Sequence, residues 1–216
     1  METANIELPV YLIGSQFDGG TVEAAFKQFE GRDEFCLSMI DDVKDARGKP
    51  DRWQTVKRCV KKAIEAQEDL FVLCESDHIF TAQYHKDYLI RNIIEAHGQG
   101  CNILCGGVAS FQDAVPLSRN RYWIDSFMVS SFTIIYAKFY QNLLDEPGTE
   151  NLTLDQNLSK MTSHKMKLYP FISVRNYPKS EKLGTLQCEI MYRFTNSGMK
   201  LKIYQEAYDR YILKNR

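Results

Sequence analysis

Long apolar runs are missing from this chain. Nothing in its 216 residues approaches the ~20 consecutive apolar positions of a membrane-spanning helix, so an integral membrane protein is not expected. Net charge is nearly missing too. Lys and Arg number 27 against 28 Asp and Glu, a formal −1, which argues against a dedicated nucleic-acid binder. The six cysteines contain no Cys-x-x-Cys pair, so zinc is not expected. Cys74, Cys101 and Cys105 lie in or beside apolar stretches, as buried free thiols of a reducing compartment do. Internal repeats and low-complexity tracts are absent, which excludes a solenoid. The opening Met1-Glu2-Thr3-Ala4-Asn5 is acidic and polar, unlike a secretory signal. These absences together lead to the expectation of a cytoplasmic protein. What remains is 44% hydrophobic residues, enough for one large domain with its own core.

The pattern along the chain alternates strand and helix. Pro9 to Ile13 reads as a buried strand turning at Gly14-Ser15. Residues 21–29 put Val22, Ala25, Phe26 and Phe29 on one helical face. Phe35 to Ile40 reads as a second strand running into Asp41-Asp42. Asp51, with Gln54 three residues on, marks a helix start. That helix carries Trp53, Val56, Val60, Ala63 and Ile64 on one face, with Lys57, Arg58, Lys61 and Lys62 mostly opposite. A strand over 70–74, a helix over 84–96, a strand at 102–105, and a strand over 127–136 leading into a helix near 137–144 follow. Tyr169 to Ser173 is read as extended. Alternation of this kind favours an α/β fold with a largely parallel sheet. In the tail, Gln187–Phe194 and Lys200–Tyr204 flank Asn196-Ser197-Gly198, which reads as a hairpin. A helix over about 205–214 closes the chain. The division is therefore residues 1–180 as the main domain and 181–216 as a hairpin-and-helix extension packed on it.

One stretch carries the most chemistry: Leu70-Phe71-Val72-Leu73-Cys74-Glu75-Ser76-Asp77. An unbroken apolar run reads as a strand buried on both faces, and ligands in open α/β sheets bind beyond the carboxyl ends of such strands. In extended chain, residues i and i+2 face the same side, so Glu75 and Asp77 can face one ion. Two carboxylates at the rim of a core need compensation, and a divalent cation supplies it. Mg²⁺ or Mn²⁺ suits such oxygens and can hold a diphosphate in turn.

The helix from Arg52-Trp53 to Ala63, the strand 69–74 with Glu75-Ser76-Asp77-His78-Ile79-Phe80, and Gly106-Gly107 after the next strand follow one another in a familiar order. With the strand at 127–136, Asp155 and Tyr169-Pro170-Phe171-Ile172-Ser173, that order resembles the GT-A-type glycosyltransferases, closest to the lipopolysaccharide-type family 25 group, over about residues 8–180. The chain departs from that pattern at Ser76, where the family carries a middle acid, and after the first strand, which lacks the usual basic residue. The resemblance implies a metal-dependent transfer of a sugar from a nucleotide-sugar donor, with UDP the expected nucleotide, to a glycan or lipid-linked acceptor. It implies a GT-A-like, Rossmann-like sheet and a role in cell-surface polysaccharide or lipopolysaccharide synthesis. Glu75 and Asp77 are then the Mn²⁺ or Mg²⁺ ligands, with His164 a late third ligand. Gly14, Asp42, Arg52, Gly106 and Gly107 are the donor-binding candidates. Asp155 is the candidate base, with a helix N-cap as its other reading.

Other residues are read more plainly. His78 points away from Asp77 and is expected to be structural; His85 and His97 are ordinary helix residues. Tyr122, Trp123 and Asp125 could form an acceptor platform, although a Tyr-Trp pair is more often core. Lys200, Lys202, Arg210, Lys214 and Arg216 among Tyr204, Tyr208 and Tyr211 invite peripheral contact with an anionic membrane surface. Two rival functions stay open: a metal-dependent phosphoester or diphosphate hydrolase, and a degenerate glycosyltransferase fold serving as a binding or scaffold module.

Overall fold

The computed structural model describes residues 6–14, 22–149, 151–175 and 184–213. The Ser15 turn and the division at residue 180 fall outside the described residues. In chain order the elements are β1 (Leu8–Ile13), α1 (Val22–Phe29), β2 (Phe35–Met39), α2 (Arg52–Glu65), β3 (Leu70–Glu75), β4 (His78–Phe80), α3 (Lys86–Gly98) and β5 (Ile103–Cys105). Then come β6 (Ala114–Pro116), β7 (Arg121–Ile124), β8 (Phe132–Tyr136), α4 (Tyr140–Asp145), α5 (Leu154–Met161), β9 (Lys165–Leu168), β10 (Ser173–Arg175) and α6 (Gly184–Tyr208).

Eight strands form one sheet in the order β2-β1-β3-β8-β5-β9-β7-β6, and β10 pairs with β4 in a two-stranded ribbon. β8 and β7 run against the other six strands, so the sheet is mixed but mostly of one direction. This is the α/β, Rossmann-like class that the alternation leads one to expect.

The period of two in β3 explains the layers. Phe71 and Leu73 enter one core with Trp53, Val56 and Val60 of α2, Leu143 of α4 and Leu158 of α5. Val72 and Cys74 enter the other core, with Ala25 and Phe29 of α1 and Leu89 and Ile93 of α3. Helices thus cover both faces, which is why β3 can be apolar throughout Leu70 to Cys74. Asp51 caps α2 as the sequence implies, its Oδ1 accepting from the Gln54 amide at 3.0 Å.

The expected C-terminal hairpin is not formed. α6 runs through Asn196-Ser197-Gly198 without a turn. Ile190, Phe194, Ser197 and Leu201 recur at helical spacing and are all buried, with Ile190 and Phe194 seated against Ala109, Phe171 and Val174. Burial of that stripe outweighs the ~1 kcal/mol that a helical glycine costs. The stretch that reads as a hairpin around Asn196-Ser197-Gly198 is one helix, because its buried positions recur at the helical period. Among the described residues no helix is long and apolar enough to cross a membrane.

Candidate functional site

The acidic pair emerges from β3 where expected, but its partner is a side chain. Glu75 is 4% exposed and Asp77 0%. The guanidinium of Arg175, at the end of β10, lies between them. Its Nη1 donates to Glu75 Oε2 at 3.0 Å and Asp77 Oδ2 at 2.7 Å, and its Nη2 to Glu75 Oε1 at 2.8 Å. Nη2 also donates to the Ser130 carbonyl at 2.9 Å. Burial alone would lower the pKa of Arg175, but Glu75, Asp77 and Asp155 together overcome it and raise the pKa. The planar fork of arginine suits this bidentate clasp.

Asp155 belongs to the same cluster. It is not the helix cap: Thr153 caps α5 in a box with Gln156, and Asp155 points inward, 3% exposed. Its Oδ2 accepts from the Ser130 amide at 3.0 Å. Burial pushes its pKa up to about 7; Arg175 opposes that rise and Glu75 adds to it. The neighbouring Val129 has φ +60°, unusual for a β-branched residue, so the backbone that feeds both Asp155 and Arg175 is strained.

The donor candidates divide into two sets. Gly14, Asp42 and Arg52 meet at the carboxyl ends of β1 and β2. Arg52 Nη1 donates to the Gly14 carbonyl and lies 3.3 Å from Asp42 Oδ1. This group adjoins the acidic pair, because Ile13 is paired with Glu75 and the Ser76 amide donates to the Ile13 carbonyl. Gly106 and Gly107 are instead packed against β10. The Ile172 amide donates to the Gly106 carbonyl at 2.9 Å. A Cβ at Gly107 would overlap the Ser173 carbonyl, so that glycine admits a neighbouring strand and not a sugar.

His164 does not join Glu75 and Asp77. It is exposed just before β9, at the amino end of that strand, whereas the acidic pair lies at the carboxyl end of β3, which runs in the same direction. Its backbone carbonyl instead accepts from the Asn102 amide at 2.7 Å. His78 is structural as read. It is buried among Phe29, Phe80 and Phe132, its Nδ1 meets Ser173 Oγ at 2.8 Å, and burial lowers its pKa to about 3. Tyr122 is core, and Trp123 Nε1 donates to the Ser163 carbonyl, so neither forms an open platform.

A metal fits this arrangement poorly. Both oxygens of Glu75 and Oδ2 of Asp77 are engaged by Arg175. Among the described residues no group of three or more His, Cys, Asp or Glu is placed to hold an ion. Arg175 is the residue that sequence reasoning missed. The signal was charge balance: two acids at a core rim require a cation, and Phe171-Ile172-Ser173-Val174-Arg175 is an extended apolar segment ending in one.

No family model and no curated protein matches the chain. Among solved structures it is similar to A197 from STIV, with a TM-score of 0.49 and 11% identity over 74% of this chain and 81% of that one. It is also similar to the apo form of UDP-glucose pyrophosphorylase, with a TM-score of 0.43 and 11% identity over 91% of this chain and 82% of that one. At this level the likeness is one of chain course, and no residue role is carried over from either.

Proposed function

We propose that the chain is a nucleotide-sugar-dependent glycosyltransferase whose donor crevice lies at the carboxyl edge of β2, β1 and β3. One observation supports this most. Gly14, Asp42 and Arg52, chosen from sequence as donor contacts, are drawn together beside Glu75 and Asp77 at the edge where ligands of open α/β sheets bind. In this reading the Arg52 guanidinium meets the diphosphate and offsets the charge that grows on it as the sugar leaves. Asp42 meets the ribose or base. Asp155, with its pKa near neutrality, accepts the proton of the acceptor hydroxyl. Glu75 and Asp77 hold Arg175 and thereby shape the crevice floor, and no step is routed through a metal. UDP as the nucleotide, a glycan or lipid-linked acceptor and a cytoplasmic location come from the sequence reading. The outward side of α6, where Met191, Tyr192, Met199 and Ile203 are exposed, supports peripheral contact with a lipid-presented acceptor. Loss of liposome co-sedimentation in Met199→Ser/Ile203→Ser is the expected check.

A second reading, the degenerate scaffold, is favoured by the closure of the acidic pair on Arg175. Calorimetric titration of UDP with Mn²⁺ and with EDTA separates the two. Binding that survives EDTA and weakens about tenfold in Arg52→Met, the loss of one charge-assisted contact, supports the donor crevice. Binding only with Mn²⁺ would return Glu75 and Asp77 to a metal. Silence with UDP, GDP and CMP would move the protein to the scaffold reading.

A further inference from the structure

A separate cavity of about 230 Å³ lies between the chain following β5 and the inner side of α6. Neither it nor a neighbouring cavity of about 350 Å³ is lined by Glu75, Asp77 or Asp155. The first cavity's helical wall is Arg193, Asn196, Ser197 and Lys200, the spacing i, i+3, i+4, i+7 of one stripe. All four are hydrogen-bond donors with no acid among them: Ser197 is buried, Asn196 and Lys200 are half-buried, and Arg193 lies at the open rim. Ser110 and Phe111 face it.

Three features mark this stripe as more than a wet helix face. Ser197 is 6% exposed and its Oγ has no partner among the described residues. A buried hydroxyl left unpaired is costly, so a ligand that pairs it is favoured. Lys200 donates to the Gln112 carbonyl with one of its three N–H groups, leaving two. Lys167 of β9 lies behind Phe111, its Nζ 2.8 Å from the ring centroid, while Lys200 Nζ lies 4.8 Å from the same centroid. Lys167 Nζ has no hydrogen-bond partner among the described residues. Burial, with Lys200 adding to it and Cys105 and Asp125 opposing, lowers its pKa to about 6. Lys167 is therefore largely neutral near pH 7, and the positive charge at the cavity is that of Arg193 and Lys200. Glu189 is paired with Arg193 at 2.5 Å on the exposed side.

We propose that this cavity binds a phosphoryl group, the terminal phosphate of a small phosphomonoester, through Arg193, Ser197 and Lys200, with Asn196 and Ser110 completing the ring of donors. Its volume is below that of drug-sized pockets, which run from roughly 300 Å³ upward, and suits a small ligand. The site stands independently of the transferase reading, since none of its residues belongs to the donor crevice.

The test is NMR titration of the full ¹⁵N-labelled chain with inorganic phosphate at fixed ionic strength, with acetate in parallel. Saturable shifts confined to residues 109–111 and 193–200 are expected. Binding weakens about tenfold in Lys200→Met, which loses a charge-assisted contact, and about threefold in Ser197→Ala, which loses a neutral one. Lys202→Met, exposed on the same helix, leaves it unchanged, and each variant's spectrum outside the cavity verifies folding. No saturable shift, or equal affinity in Lys200→Met and Arg193→Met, overturns the site. Acetate binding as tightly as phosphate overturns the phosphoryl assignment.

Discussion

Replacing Arg175 by Met is the most direct probe of how this molecule is held together. The variant keeps an aliphatic stem of similar length but removes the three bonds to Glu75 and Asp77 and the one to Ser130. Two buried carboxylates then lose the guanidinium that clasps them both, with Asp155 beside them. Breaking a buried pair from one side costs about 3–5 kcal/mol, a large part of the roughly 5–15 kcal/mol that holds a typical domain folded. Removing the acids at the same time, in Glu75→Gln/Asp77→Asn/Arg175→Met, returns most of that loss, because an isosteric neutral cluster no longer buries charge. Urea unfolding at neutral pH measures both variants. Mn²⁺ supplies a second axis. The wild type gains nothing from it, whereas Arg175→Met, whose acids no longer hold the guanidinium, is stabilised by about 2.7 kcal/mol at a hundred times the dissociation constant. The reasoning is refuted if Arg175→Met loses less than about 1 kcal/mol, below the cost of orphaning even one buried polar group, or if Mn²⁺ stabilises the wild type.

Three further outcomes are expected. Gly198→Ala stabilises the protein by roughly 0.5–1 kcal/mol in thermal or urea unfolding, since Gly198 is inside α6 and nothing lies within 4 Å of an added Cβ; a loss of stability would point to a turn there. The pKa of His78 is held at about 3 against an ordinary 6.5, so stability is complete above pH 6.5 and lost as pH falls towards 3. That loss reaches about 2 kcal/mol by pH 5, and a His78→Gln variant lacks that share of the acid slope in pH-dependent unfolding. Asp155 is the opposite case: its folded pKa is raised, so its share of stability is complete below about pH 4 and lost as pH rises to about 7. Asp155→Asn should remove this fall and abolish transfer while leaving UDP affinity intact; transfer that persists in the variant would refute its role as the base.

The sequence made the sheet legible wherever burial was two-sided. Leu70 to Cys74 could only be a central strand, and Asp51 with Gln54 could only open a helix. Short strands were not legible: Ala114–Pro116 at the edge of the sheet and Lys165–Leu168 inside it have three and four residues, too few to show a period. Lys165-Met166-Lys167-Leu168 even reverses the expected pattern, with buried lysines alternating with apolar residues. At the site, the acids were found because they end an apolar run. Arg175 was not, because its partners lie 98 and 100 positions away, and no local spacing encodes so distant a pairing. His164 was assigned by residue type and rough position, and neither fixes the edge of the sheet at which a residue lands.

That distance also sets an order of events during synthesis. Glu75 leaves the ribosome 100 residues before Arg175, which at roughly 5–20 residues per second is about 5–20 s. Through that interval β1, β2 and β3 can pair, but the end of β3 lacks the guanidinium that later clasps its two acids. β8, which must slot in beside β3, arrives in the same window. Arg175 reaches the acids from a ribbon outside the eight-stranded sheet, so its clasp on the end of β3 is completed only once β10 has been made.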